Sequence, residues 1–198
     1  MTTNQSLYQF IPEVNGDGGA VVRMLSAGAD DVWYYNFDEK RGIRQTELTD
    51  QTFLLADSIK SLAWKLTNET KTILGHSVMK ATAQGIGTRS QVTMENGEMK
   101  RTMITDTLVV VAWFAQDIPV SAGPDFQGQL PGLILELDIN NGHTLFQAIE
   151  LTPKVNLASI KEPKKGKRVT QDEFNKERDK MFENMRQFGG GNRTIRMN

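Results

Sequence analysis

A turn fused to a strongly patterned strand, Leu130-Pro131-Gly132-Leu133-Ile134-Leu135-Glu136-Leu137, constrains the fold more than any other stretch of this chain. Pro-Gly suits the two central positions of a type II turn, where proline pre-sets the first φ and glycine accepts a positive second one. Beyond it, Leu133, Leu135, Leu137 and Ile139 point to one face and Ile134, Glu136 and Asp138 to the other, the period-two signature of a half-buried strand. Strand-like segments bounded by turn residues recur at 6–11, 32–37, 43–47, 52–55, 62–66, 77–83, 90–94, 99–113 and 144–151. Without intervening helices they are expected to form an antiparallel meander and not βαβ units. Glycines and prolines cluster at the ends of the longer strands, where bends and bulges form. The expected fold is therefore mainly β: a single antiparallel, strongly curved open sheet or partial barrel with one C-terminal α-helix.

Two hairpins can be registered. A two-residue turn at Asn141-Gly142 sets Ile139 against Thr144, Leu137 against Phe146 and Leu135 against Ala148, so the apolar face continues across the pair. The same turn at Asn96-Gly97 sets Met94 against Met99 and Val92 against Arg101, and residues 88–105 form a mostly polar arm expected to protrude. Extended past Gly85 and Gly87, that register brings Met79, Ala81 and Ala83 opposite Phe114, Ala112 and Val110, with Lys80 opposite Trp113; a bulge at the glycines would shift these pairs. The run Asn15-Gly16-Asp17-Gly18-Gly19 reads as a loop, since no strand–helix frame makes it a dinucleotide fingerprint.

The absence of cysteine removes disulfides, thiol nucleophiles and thiolate zinc sites from consideration. A net charge of −1 supplies no global basic field, so nucleic acid is not an expected partner. Charge is nevertheless split, with 11 basic and 6 acidic residues from position 161 onward. The longest apolar run, 108–114, is far shorter than the ~20 residues of a transmembrane helix. Residues 1–5 have neither the basic start nor the apolar stretch of a secretory signal, as in a cytosolic protein or a trimmed exported one. The expected organisation is an antiparallel β domain over 1–160, a basic linker over 161–169, and a helix with a Gly-rich tail over 170–198. Thr170 and Glu173 form a capping box, Val169 and Phe174 a hydrophobic staple, and Phe174, Arg178, Met181, Phe182 and Met185 a narrow apolar stripe.

These motifs resemble the GLPGLI family, exported proteins of Bacteroidota-type bacteria. The residues that carry the likeness are Trp64-Lys65-Leu66-Thr67, Gly75, Lys80-Ala81-Thr82, Ala112-Trp113-Phe114, Ile118-Pro119-Val120, Gly123-Pro124, Phe126, residues 130–136, and the tail at 164–167 with Phe174. It runs from about residue 54 to 196. Gln129 stands where the family has the first glycine of its name motif, and Val78 where it usually has cysteine. The chain also starts without the signal peptide, and without the first strand, expected from the resemblance. The likeness implies a periplasmic or cell-envelope location and assigns no catalytic activity.

Catalytic constellations find little support in the residues. His76 and His143 share no metal-binding spacing, and no Gly-x-Ser-x-Gly or Ser-x-x-Lys element is present. Asp117, Asp125, Glu136 and Asp138 read as turn and edge carboxylates, and residues 138–142 as a hairpin turn lacking the ligands of a calcium loop. No catalytic residue, metal site or cofactor is expected. The candidate ligand-binding group is Trp64, Lys80, Trp113, Phe114, Leu130, Pro131, Gly132 and Leu133, a concave apolar wall with a lysine beside its aromatics. The reading that follows is a non-enzymatic binding or assembly module of the envelope, taking a lipid-like group or a partner segment. The alternative is a structural protein acting through an exposed sheet edge, the hairpin arm and the amphipathic helix, with self-association through that edge. A hydrolase built on Asp117, Asp125 and His143 is the third reading.

Overall fold

Alternation along the chain builds strands that divide between two open sheets where a single curved sheet is expected from the sequence. The computed structural model describes residues 4–9, 31–95, 98–154 and 156–189. One five-stranded sheet has the order β1 (Gln5–Gln9), β2 (Val32–Asn36), β3 (Arg41–Leu48), β4 (Gln51–Ser58) and β10 (Lys167–Val169). The other, also five-stranded, runs β5 (Lys65–Ile73), β6 (His76–Glu95), β7 (Glu98–Ala115), β8 (Leu133–Ile139) and β9 (Thr144–Gln147). Among the described residues one α-helix, α1 (Gln171–Gly189), follows β10. The break falls in the crossover 59–64, whose Leu62 and Trp64 turn inward onto the second sheet instead of extending a ladder.

The second sheet follows the expected hairpins closely. β6 and β7 pair without interruption from Val78↔Ala115 to Glu95↔Glu98, so Lys80 faces Trp113 and neither Gly85 nor Gly87 shifts the register. Ile86, just before the arm, is 84% exposed, and Met94 within it is 74% exposed. β8 and β9 pair as expected at Ile139↔Thr144 and Leu137↔Phe146. Their loop places Asn140, Asn141 and Gly142 in the left-handed region, which asparagine and glycine tolerate best.

β8 departs from simple alternation. Its register to β7 shifts between Trp113 and Phe114, so Ile134 joins Leu137, Val110, Ala112 and Phe114 in one core cluster. Leu133 and Leu135 instead join Val78, Ala115 and Ala122 in the cluster on the opposite face. A bulge inserts one residue and so reverses the side of everything before it. Both faces are covered, and the leucine-rich run marks a strand buried on two sides. Gly132 corrects another expectation: its φ is outside the left-handed region, and the residue is small because the Ala115 carbonyl lies against it.

The first sheet is closed off by the carboxyl-terminal segment. Ile160, just before the expected basic linker, is 8% exposed, and Glu162 within that linker receives two hydrogen bonds from the Arg41 guanidinium at 2.9 and 3.4 Å. Arg41 thereby holds the Glu162 carboxyl below the usual carboxylate range. The segment ends in β10, which pairs parallel to β4 at Lys167↔Phe53, Arg168↔Leu54 and Val169↔Leu55. α1 then starts from the expected capping box: Thr170 N–H donates to Glu173 at 2.8 Å and Glu173 N–H to the Thr170 hydroxyl at 3.2 Å. Phe174 packs on Phe53, Leu55 and Val169, the staple foreseen from sequence. The 15–19 loop, Phe10 and Ile11, the Asn96-Gly97 turn and the tail from 190 onward lie outside the described residues, as do the side chains of Phe182 and Met185.

Candidate functional site

The candidate residues read from sequence do not line one open groove. Phe114, Leu130 and Leu133 are core residues, 0%, 3% and 3% exposed. Gly132 is buried with them and Pro131 is exposed at the turn. Trp64 covers the Phe114 face: it packs edge-on to Phe126 at 5.7 Å, and its indole N–H donates to Gln129 Oε1 at 3.0 Å. Gln129 Oε1 also accepts from Leu62 N–H at 2.9 Å, so Gln129 ties the crossover to the β7–β8 loop. The concave face is thus filled by the protein's own side chains.

Trp113 lies on the opposite face. Lys71 Nζ is 4.3 Å and Lys80 Nζ 5.9 Å from its ring centroid, within the range of cation–π contact. Each ammonium is already matched, Lys71 with Glu136 at 2.6 Å and Lys80 with both Glu69 carboxylate oxygens at 2.9 and 3.0 Å. The carboxylates considered for hydrolysis also have separate surroundings. Asp117 bonds His76 Nδ1 at 2.7 Å, Asp138 accepts from Gly142 N–H at 2.6 Å, and His143 is exposed beside the hairpin turn. Among the described residues no group of three or more acidic or histidine side chains is arranged to hold a metal ion.

An open site lies instead on the first sheet, where the loop after β7 crosses one face of β2–β4. Alternation puts Trp33 and Tyr35 on the same face of β2, and the register adds Gly42 and Arg44 of β3. The two rings stack with centroids 6.4 Å apart and planes 6° from parallel. Gly42 leaves room for them, since a Cβ there would stand 2.9 Å from the Tyr35 ring. Asp125, Phe126, Gln127 and Gln129 close the other side of a cleft of about 310 Å³. The Ser6 hydroxyl donates to Gln127, fastening this loop to β1.

The charges in the cleft are unequally satisfied. The Arg44 guanidinium lies 5.0 Å from the Trp33 ring and 5.8 Å from Phe174, and its Nε donates to buried Asp31 at 2.5 Å. Lys60 stands 3.4 Å from Asp57. Asp125 has neither a hydrogen bond nor an ion pair among the described residues. It reaches solvent through the cleft mouth, yet the surrounding protein raises its carboxyl above the ordinary value by desolvation. Burial, then the Asp125 charge, pushes the Tyr35 phenol up to about 12, partly opposed by Arg44. The same two causes raise Tyr8.

The core of the second sheet and the loop that carries Asp125 coincide with a recognisable family stretch. Residues 64–136 match the family described as Protein of unknown function (Porph_ging). The matched stretch begins at Trp64 and ends within β8, so it includes Asp125, Phe126, Gln127 and Gln129 but not Trp33, Tyr35 or Arg44. The name GLPGLI is not part of that description. Two solved structures share the fold. The structure of PNGF-II in the C2 space group is 18% identical over 88% of this chain and 28% of that one, with a TM-score of 0.54. The structure of PNGF-II in the P21 space group is 17% identical over 90% of this chain and 29% of that one, with a TM-score of 0.51. The chain thus spans less than a third of their length, and the likeness concerns fold alone. No curated protein matches the chain.

Sequence reasoning placed Asp125 among turn carboxylates and passed over Trp33, Tyr35 and Arg44. A usable signal was present: Trp33 and Tyr35, two apart on a strand, must share a face. Asp125→Asn provides a test of the electrostatics. A raised carboxyl pKa means that ionisation is disfavoured in the fold, so the wild type loses stability as pH rises from about 3.9, the ordinary aspartate value, through the folded pKa. The variant is expected to melt higher than wild type at neutral pH, with the gap closing toward pH 3 in thermal scans. A gap unchanged between pH 3 and 7 would assign the gain to backbone preference alone, because Asp125 has φ 52° and asparagine tolerates the left-handed region well.

Proposed function

We propose that this chain is a non-enzymatic binding module whose ligand enters the cleft between the first sheet and the loop after β7. The observation that carries this reading is the convergence of a stacked Trp33–Tyr35 wall with Asp125, which has no ion pair among the described residues, in a cleft of about 310 Å³. Concave sites with an apolar wall and a few convergent polar groups are the usual form of small-molecule sites. Alternating aromatic and charged groups favour a compact, partly polar ligand over the acyl chain anticipated from an apolar groove. The resemblance across residues 54–196 supports an exported protein working in the bacterial envelope.

A fragment screen read by tryptophan fluorescence tests the proposal, with Trp33→Phe as the reporter control. Ligands that quench wild type and lose their effect in Trp33→Phe support the cleft. A screen in which every hit acts equally on both proteins, with ester, peptide and glycoside substrates all turned over, would replace this reading with an enzymatic one. A second reading, assembly through edges, draws on Leu66 of edge strand β5 and Leu145 of edge strand β9, 54% and 59% exposed. Sedimentation decides it, since a strict monomer at high concentration argues against edge pairing.

A further inference from the structure

The inference here rests on the cleft being the binding site and names what it takes. Its lining carries cations that are already spoken for. Arg44 is neutralised by Asp31 and spread against Trp33 and Phe174, and Lys60 is paired with Asp57. The amide oxygens facing the loop are also engaged, Gln127 with Ser6 and Gln129 with Leu62 and Trp64. What remains is one negative charge, Asp125, beside aromatic rings.

We infer that the cleft binds an organic cation, an ammonium or guanidinium head on a short apolar or aromatic stem, with Asp125 as counter-ion and the Trp33–Tyr35 wall receiving the stem. Such a head gains twice in this setting. It meets the one lining carboxylate without an ion pair among the described residues, and it meets ring faces whose quadrupoles attract positive charge. An anionic head would be repelled by Asp125, and a neutral one would leave the carboxylate without a counter-ion. Burial first, and then the Asp125 charge, raises the Tyr8 and Tyr35 phenols, so both rings lie within reach of that carboxylate's field. Asp125 itself sits at φ 52°, a conformation that costs a non-glycine residue backbone energy and recurs at functional sites.

Titration calorimetry with benzylammonium, benzyl alcohol and benzoate at physiological salt provides the test, since the three probes share a ring and differ in charge. Benzylammonium is expected to bind wild type at least tenfold more tightly than benzyl alcohol, with benzoate weakest. Asp125→Asn is expected to bring benzylammonium and benzyl alcohol within twofold. If all three probes bind equally and lose binding in Trp33→Ala, the cleft reading stands and the cation inference falls. If benzylammonium binds but Asp125→Asn and Trp33→Ala leave its affinity unchanged, the cation is held elsewhere and both fall.

Discussion

Gly132→Ala is expected to cost at least ~3 kcal/mol, at or beyond the upper end of ordinary overpacking. A Cβ at this position would lie 2.2 Å from the Ala115 carbonyl oxygen, 2.9 Å from its carbon and 3.0 Å from Phe114 Cδ2. None of these neighbours can give way easily. Ala115 is paired with Leu133 in the β7–β8 ladder, and Phe114 is 0% exposed in the centre of a core cluster. Urea denaturation should show a lowered midpoint with an unchanged slope, the mark of lost stability without a changed extent of unfolding. Gly142→Ala is the control: its φ is +88° but nothing lies within 4 Å of the added atom, so it should cost only the ~1–2 kcal/mol of a left-handed alanine. Equal losses in the two variants would show that backbone conformation, and not the Ala115 carbonyl, makes glycine necessary at 132.

The same turn shows why some of this molecule was legible in its sequence and some was not. Pro131-Gly132 correctly marked the start of β8, because any segment needing close backbone approach selects glycine. It did not say whether a positive φ or a steric limit was responsible. A two-residue turn placed at Asn96-Gly97 was enough to register β6 on β7 and to set Lys80 opposite Trp113, since a hairpin about a short turn leaves its register no freedom once the turn is placed. Which strands neighbour one another beyond a hairpin is not encoded by alternation. The division into two sheets at residues 59–64 therefore escaped the sequence reading.

Two other features were hidden for different reasons. β10 is stabilised by backbone pairing to Phe53, Leu54 and Leu55, and Lys167-Arg168-Val169 has almost no side-chain pattern to announce it. The cleft combines β2–β4 with a loop far along the chain, and a local pattern cannot report that meeting. Trp113 and Trp64 looked like one aromatic group because both sit beside lysines. Their backbone positions separate them, since Trp113 points away from the Phe114 face and Trp64 lies in the crossover covering it.

Phe53→Ala and Phe174→Ala form the second large test, because their rings join α1 to the first sheet. They meet edge-on at 5.4 Å with planes 71° apart, and each is almost fully buried, at 2% and 4% exposed. Phe53 sits in β4 between β3 and β10, so its loss opens a cavity at a place where strands on both sides are held by ladders. Phe53→Ala is expected to lower global stability by ~3–5 kcal/mol. Phe174 instead anchors one side of a helix, and its truncation should mainly release α1 before the sheets unfold, seen as faster amide hydrogen exchange confined to that helix. The double variant should be less damaged than the sum of the singles by ~0.5–1.5 kcal/mol, the part of each loss that belongs to the ring–ring contact. Because Arg44 rests against both Phe174 and Trp33, freeing α1 also removes one support of the guanidinium in the cleft. Trp33 fluorescence in Phe174→Ala should therefore shift together with the helix exchange. Exchange in α1 that stays at the wild-type rate would mean that the capping box and β10 hold the helix without its aromatic anchor.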